Sequence, residues 1–263
     1  MTVLTNDGLL AVAERLRVQT LPLVLAVRPT QETLADWQAA RRAAEAELTG
    51  TGILDGDEVA NTELVGALLT LSQPDRELVA RIFRGGAPVR ICLARRGEAH
   101  ALAVRTGDSY VIEPIWVDGS GQSLARPILA QLGPLAAADV AAFSAPATDL
   151  AERFDAAENA ADYADAVYHL GVAATDATRY GLALGDCHTY AEIVACHHEG
   201  GATERATGAV AVYDTAAGRI VAAPGRAPDL RIWSTVTPGT DHRIAQAISA
   251  LIELLPGGRW LPQ

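Results

Sequence analysis

Four short segments with the alternation of β-strands follow one another almost without a gap, and four more do so later in the chain. RELVARIF (Arg76–Phe83), PVRICLAR (Pro88–Arg95), EAHALAVR (Glu98–Arg105) and SYVIEPIW (Ser109–Trp116) form the first group. Their separators, Gly85-Gly86, Arg96-Gly97 and Thr106-Gly107-Asp108, are short and turn-forming. A parallel pair would need a crossover of about a dozen residues or more, so the spacing predicts an antiparallel meander. HTYAEIVACHH (His188–His198), TGAVAVYD (Thr207–Asp214), RIVAAP (Arg219–Pro224) and DLRIWSTV (Asp229–Val236) form the second group.

Helical segments precede and close each group. A first helix runs from a cap at Asn6 or Asp7 to about Arg17, and the strand-like LPLVLAVR (Leu21–Arg28) follows. Thr30 can cap a long helix in which Leu34, Trp37, Arg41, Ala44 and Leu48 recur at helical spacing. After the turn-rich GILDGDEVA, Asn61 caps another helix that stops before Pro74. GQSLARPILAQL closes the first half at Gly133-Pro134. A helical stretch from about Thr148 to Leu184 opens the second half. DHRIAQAISALIELL (Asp241–Leu255) closes it, with Ile244, Ile248, Leu251 and Leu255 as its apolar stripe. The plan is therefore α+β: an antiparallel β-sheet packed with helices, a C-terminal helical part, and a pseudo-twofold duplication. It predicts a single domain over 1–263, built from related halves 1–133 and 134–263.

Composition narrows the function classes. The chain has 263 residues, 49% of them hydrophobic and 20% charged, within the range of globular proteins. Every one of its 21 basic residues is Arg, with no run of five or six among them, and the net charge is -11. Phosphate recognition needs a clustered basic surface, so a nucleic-acid partner is not expected. The run LPLVLAV is short, holds Pro22 and lacks a cleavage pattern, and no apolar stretch approaches the ~20 residues of a membrane span. Three cysteines do not build a disulfide framework. A reducing cytoplasm, without membrane insertion, is the expected location.

GDCHTYAEIVACHHEG (Gly185–Gly200) gathers two of the three cysteines and three of the six histidines. On one strand, same-face pairs that join its two ends are eight to ten residues apart, ~26–33 Å, too far to share a metal. Neither Cys187-His188 nor Cys196-His197-His198 has the spacing of zinc ligands. Cys187 and His188 point apart as strand neighbours, which leaves a cysteine nucleophile without its base. Gly119–Ser123 lacks the Lys of a phosphate loop and reads as a turn and cap. No catalytic residue, metal or cofactor is expected. An enzyme centred on Cys187–His198 stands only as the alternative.

The strands carry large side chains on one face and small ones on the other. Val89, Ile91 and Leu93 oppose Arg90, Cys92 and Ala94, and His100, Leu102 and Val104 oppose Ala101, Ala103 and Arg105. Val210 and Val212 oppose Thr207, Ala209, Ala211 and Tyr213. A face of small residues admits close approach by another element. That element is either one of the protein's own helices or a partner protein; solvent is the third possibility.

An ordered series of motifs in the second half resembles the EspG family of chaperones of type VII (ESX) secretion. The series is Tyr190-Ala191-Glu192-Ile193, Tyr213-Asp214-Thr215, Gly218-Arg219, the turn Ala223–Asp229, Trp233-Ser234-Thr235, Pro238-Gly239-Thr240 and Leu255–Trp260. The first half is similar more loosely, through LPLVLAV, GILDGDEVANTELVGALL and SQPDRELVARI. The motif residues are largely turn and packing chemistry, so they speak to fold before site. The resemblance implies a cytosolic, non-catalytic chaperone that binds the PPE member of a PE–PPE heterodimer, keeps it soluble and directs it to the ESX machinery. It also implies a binding surface on the central sheet and the C-terminal helical part. On that basis the expected partner contacts are Arg90, Ala101, Ala103, Arg105, Thr207, Ala209, Ala211, Tyr213 and Arg226. Ala223 and Gly225 stand where the family has Ser, which leaves the partner either a PPE protein or another ESX substrate. Unbound, the chain is expected to be a monomer or weak homodimer. Self-association through the same sheet face is the third reading.

Overall fold

The alternating segments become antiparallel strands in the computed structural model, which describes residues 1–228 and 230–262. The chain divides into two units, one of Met1–Val79 and Val89–Val117, the other of Ala80–Pro88 and Asp118–Leu261. The helix at Gly121–Leu132, read from the sequence as closing the first half, belongs to the second of these units.

Unit one runs β1 (Thr2–Thr5), α1 (Asn6–Arg15), α2 (Leu34–Gly50), the small hairpin β2 (Leu54–Asp55) and β3 (Glu58–Val59), then α3 (Thr62–Ser72). The first residues of β4 (Arg76–Phe83) follow, then β5 (Val89–Arg96), β6 (Ala99–Thr106) and β7 (Ser109–Pro114). The strands lie in the order β1-β7-β6-β5-β4. Helix starts are set by side chains that accept from otherwise unpaired backbone N–H groups: Thr5 from Gly8, Thr33 from Asp36 and Asn61 from Leu64. Thr33, not Thr30, is therefore the cap of α2.

LPLVLAVR is not a strand. Leu23–Leu25 form one 3-10 turn, and Ala26 follows at φ 51° in the left-handed region. Pro22 has no N–H for a ladder. The carbonyls a strand partner would have taken are satisfied by side chains instead. Arg90 Nη1 donates to Val24 O at 3.0 Å, and Arg105 Nη1 donates to Leu25 O and Ala26 O, each at 2.8 Å. Tyr110 Oη also donates to Leu25 O, at 3.3 Å.

Beneath that turn lies the core of unit one. Pairing of Cys92 with Ala103 and of Ala94 with Ala101 builds a flat floor of small side chains. Leu25 and, from α3, Leu64, Leu68 and Leu71 pack into one cluster with it. Each of these leucines is 0–1% exposed, and burial of such a side chain contributes about 1.5–3 kcal/mol.

Unit two contains α4 (Gly121–Leu132), β8 (Phe143–Pro146), α5 (Ala147–Asp155), α6 (Ala160–His169) and α7 (Ala174–Gly185). The strands β9 (Cys187–Glu199), β10 (Ala202–Arg205), β11 (Val210–Thr215), β12 (Gly218–Arg226) and β13 (Ile232–Pro238) follow, then α8 (Asp241–Glu253). Asp229, included in the expected strand DLRIWSTV, lies outside the described residues. The order is β9-β11-β12-β13-β8, with β10 also paired to β9.

The helical stretch expected over 148–184 is broken into α5, α6 and α7. Asn159 accepts from the N–H groups of Ala161 and Asp162 and so starts α6; Gly171, at φ 93°, closes it by donating to Tyr168 O. Helix α8 covers one face of β9, β11 and β12 through its buried Ile244, Ile248, Leu251 and Ile252. The other face, with Ile220, Ala222 and Val236, packs against Phe154, Val167 and Tyr180 of α5–α7.

Arg219 anchors this unit and is fully buried. Its Nε and Nη2 donate to Asp214 Oδ1 and Oδ2 at 2.5 and 2.9 Å, and Nη2 also donates to Gly133 O at 3.0 Å. Its backbone bonds Ala136 O and the N–H groups of Ala138 and Gly239. The β11–β12 hairpin, the 133–138 segment and the turn into α8 therefore meet at one residue. Gly218 just before it adopts φ 116°, and a Cβ there would lie 2.7 Å from Ala136 O.

Candidate surface for a protein partner

The nine expected contact residues fall into three groups. Ala101 and Ala103 have no exposed surface. They form the floor beneath α3, which corrects the expectation that they touch a partner: the small face of β5 and β6 receives the protein's own helix. Arg90 and Arg105 stand at the end of that face, half-buried, with donors committed to the 22–26 turn. The Arg105 guanidinium also lies 5.2 Å above the Tyr110 ring. Burial pushes the Tyr110 hydroxyl up, so it remains a neutral donor between Asn6 Oδ1 and Leu25 O. These arginines hold backbone in place.

The remaining five lie in unit two. Ala211 pairs with Glu192 and Ala222, and Tyr213 pairs with Tyr190 and Ile220, so all of these share one face. Arg226 continues it at the exposed end of β12. Ala209 and the exposed Thr207 belong to the bend between β10 and β11. Toward Tyr213 the face is roofed by α5–α7. The Tyr213 ring lies 5.3 Å from Tyr190 and 6.3 Å from Phe154, and Phe83 stacks on Tyr190 at 6.0 Å. Burial raises the Tyr190 hydroxyl to about 12 and the Tyr213 hydroxyl further, so this aromatic row stays uncharged. Beyond Tyr190 the face is only half-buried. There Glu192, Val194, Cys196 and His198 of β9 alternate outward, beside Thr203 and Arg205 of β10. Arg205 pairs with Glu192 at 3.5 Å, and His198 Nδ1 lies 3.0 Å from Thr203 Oγ1.

The helical part adds a second concave feature that the strand pattern did not reveal. Antiparallel α6 and α7 bound a groove of ≈ 640 Å³ floored by Ala160, Ala164 and Ala174 and walled by Tyr168 and Leu182. Tyr168 is 55% and Leu182 65% exposed, large apolar side chains held in water. The helices meet closely because Gly181 and Gly185 face Ala160 and Ala164. A Cβ on Gly181 would lie 2.6 Å from Ala164 Cβ, and one on Gly185 would lie 2.8 Å from Ala160 Cβ. Three alanines and two glycines at helical spacing were the sequence signal for this groove.

Cys187, at the start of β9, is half-buried. Desolvation raises its thiol pKa, outweighing a backbone hydrogen bond at Thr189 that lowers it, and Sγ lies 3.3 Å from Thr189 O. Among the described residues, no three His, Cys, Asp or Glu side chains gather as a metal site. Among the described residues, no helix is long and apolar enough to cross a membrane.

These features define a class first: an α+β protein whose accessible unit-two surface combines an open sheet face with an apolar helical groove, suited to holding another protein. The EspG family model matches residues 5–250, and the chain belongs to the EspG family. It is 34% identical to the ESX-1 secretion-associated protein EspG1 of Mycobacterium tuberculosis, over 98% of this chain and 88% of that one. It is 29% identical to the ESX-3 secretion-associated protein EspG3 of Mycolicibacterium smegmatis, again over 98% of this chain and 88% of that one. The fold matches that of the type VII secretion system chaperone EspG5 of Mycobacterium tuberculosis, solved in complex with a PE25-PPE41 dimer. The TM-score is 0.82 at 20% identity, over 98% of both chains.

Proposed function

We propose that this chain is a cytoplasmic chaperone of ESX (type VII) secretion that binds the PPE member of a PE–PPE heterodimer. It keeps that partner soluble, directs it to the secretion machinery and acts without catalysis. The observation that carries the reading is the accessible apolar surface of unit two: the half-buried face around Val194, Ala209 and Ala211, and the α6–α7 groove. Membership in the EspG family and the likeness in fold to a chaperone bound to PE25-PPE41 support it. Within this reading Thr207, Ala209, Ala211 and Arg226 are the sheet contacts, Tyr213 supports them from beneath α5–α7, and Arg90 and Arg105 act by positioning the 22–26 turn. The chain is one EspG-like domain of two related halves, 1–133 and 134–263, monomeric or weakly dimeric when unbound.

Co-expression with PE–PPE pairs encoded near the gene tests the proposal. A 1:1:1 complex on size-exclusion chromatography is expected, weakened by Ala209→Arg with the chaperone's own melting unchanged. Pairs that stay insoluble and never co-elute would overturn it.

A further inference from the structure

Between Ala147 and Asp186 the chain holds eight carboxylates against Arg153 and Arg179, a net of -6 out of -11 for the whole chain. That charge is spread over α5, α6, α7 and their connections, and α6 and α7 bound the apolar groove. Among the residues lining it, one carries a carboxyl group: Asp165, on α6 one turn before Tyr168. Its side chain is 70% exposed, and His169 Nδ1 lies 3.4 Å from its Oδ1. That ring nitrogen is closer to the Asp165 carbonyl, at 2.9 Å, so the carboxylate remains open to an incoming cation. The floor is Ala, small enough for a helix to settle with its apolar row between Tyr168 and Leu182.

We propose that the α6–α7 groove selects its occupant by charge: it takes an apolar helical stretch flanked by Arg or Lys, with the cation set against Asp165, and rejects the same stretch flanked by Asp or Glu. The inference rests on the reading that the helical part of unit two receives the partner, and adds the chemistry by which one partner is preferred to another. A basic flank gains from Asp165 at contact and from the net negative charge of the 147–186 segment at longer range. An acidic flank is repelled by both. The long-range part is screened within about 8–10 Å at physiological ionic strength, so selectivity falls as salt rises.

Two fluorescein-labelled stapled helices of about 18 residues, long enough to hold a helical face, provide the probe. They share one Leu/Ala face and differ in carrying Lys or Glu beside it. Fluorescence anisotropy with the full-length chain at about 50 mM salt, where screening is weak, should show the Lys peptide binding roughly tenfold tighter. The ratio should shrink at about 500 mM salt. Asp165→Arg should bring the two within roughly twofold or invert them, and Leu182→Arg should weaken the Lys peptide. Equal affinities, or a preference untouched by Asp165→Arg, would overturn charge selection. Absence of binding by either peptide would overturn the groove as a docking site. If the peptides discriminate while no PE–PPE pair co-purifies, the fault lies with the proposed partner and not with the groove.

Discussion

Replacing Asp214 by Asn tests whether Arg219 holds unit two together. The substitution keeps the shape of the side chain and removes the negative charge that Arg219 Nε and Nη2 meet at 2.5 and 2.9 Å. Arg219 is 0% exposed and cannot turn to water; its other carboxylate, Asp241 Oδ1, is 3.9 Å away on a side chain 77% exposed. Breaking such a pair from one side typically costs about 3–5 kcal/mol, because a buried charge is left uncompensated. At about 2 °C per kcal/mol for a chain of this size, melting should fall by roughly 6–10 °C. Urea unfolding followed by tryptophan fluorescence should show the same loss, since Trp233 and Trp260 both lie in this unit. The double variant Asp214→Leu with Arg219→Met should recover most of it. A loss below about 1 kcal/mol for Asp214→Asn, the range of an exposed pair, would refute the anchoring role.

Other perturbations test other parts. Ala103→Leu should destabilise unit one by about 1–3 kcal/mol through overpacking against α3, measured by thermal denaturation, and leave co-purification of a partner with the surviving folded protein intact. Asp118 accepts from Ser120 N, Ser120 Oγ and Ser123 Oγ, and its pKa falls to about 2, chiefly through those side-chain bonds. Its contribution is full above the unfolded carboxylate value and is lost as pH falls toward 2. Asp118→Asn should therefore flatten the acid limb of the stability curve between about pH 4 and 2. His100 is buried, and desolvation followed by repulsion from Arg95 lowers its pKa. Protonation thus favours the unfolded chain: stability from this site is full above about 6.5 and declines as pH drops below it. His100→Gln should weaken that decline in urea titrations run from pH 7 to 5.

Strands were legible where alternation and short Gly-containing turns coincide, as from Arg76 to Trp116. The run from Leu21 to Val27 was not, because a short apolar segment fits a buried strand or a buried turn equally well. What decided it was Arg90 and Arg105, more than sixty residues away, supplying donors to its carbonyls. The breaks at Asn159 and Gly171 were missed because each depends on one residue inside a stretch of good helix formers. The small face of the sheet was read correctly as a place of close approach, but side-chain size does not say what approaches. At Ala101 and Ala103 it is α3; Ala211 packs partly against the cluster of α5–α7, and Ala209 and Ala211 stay only half-buried. The groove is formed by the meeting of two helices, so no single segment carries its signature.

Gly181 and Gly185 have a consequence for how such a surface diverges. They face Ala160 and Ala164 across the seam of α6 and α7 and are not among the residues that line the groove, yet they fix the separation of its two walls. Enlarging either one wedges the helices apart and moves Tyr168 relative to Leu182 without altering a lining residue. The width of the mouth is thus inherited from positions outside the groove's lining. Two relatives with identical groove linings need not accept the same helix.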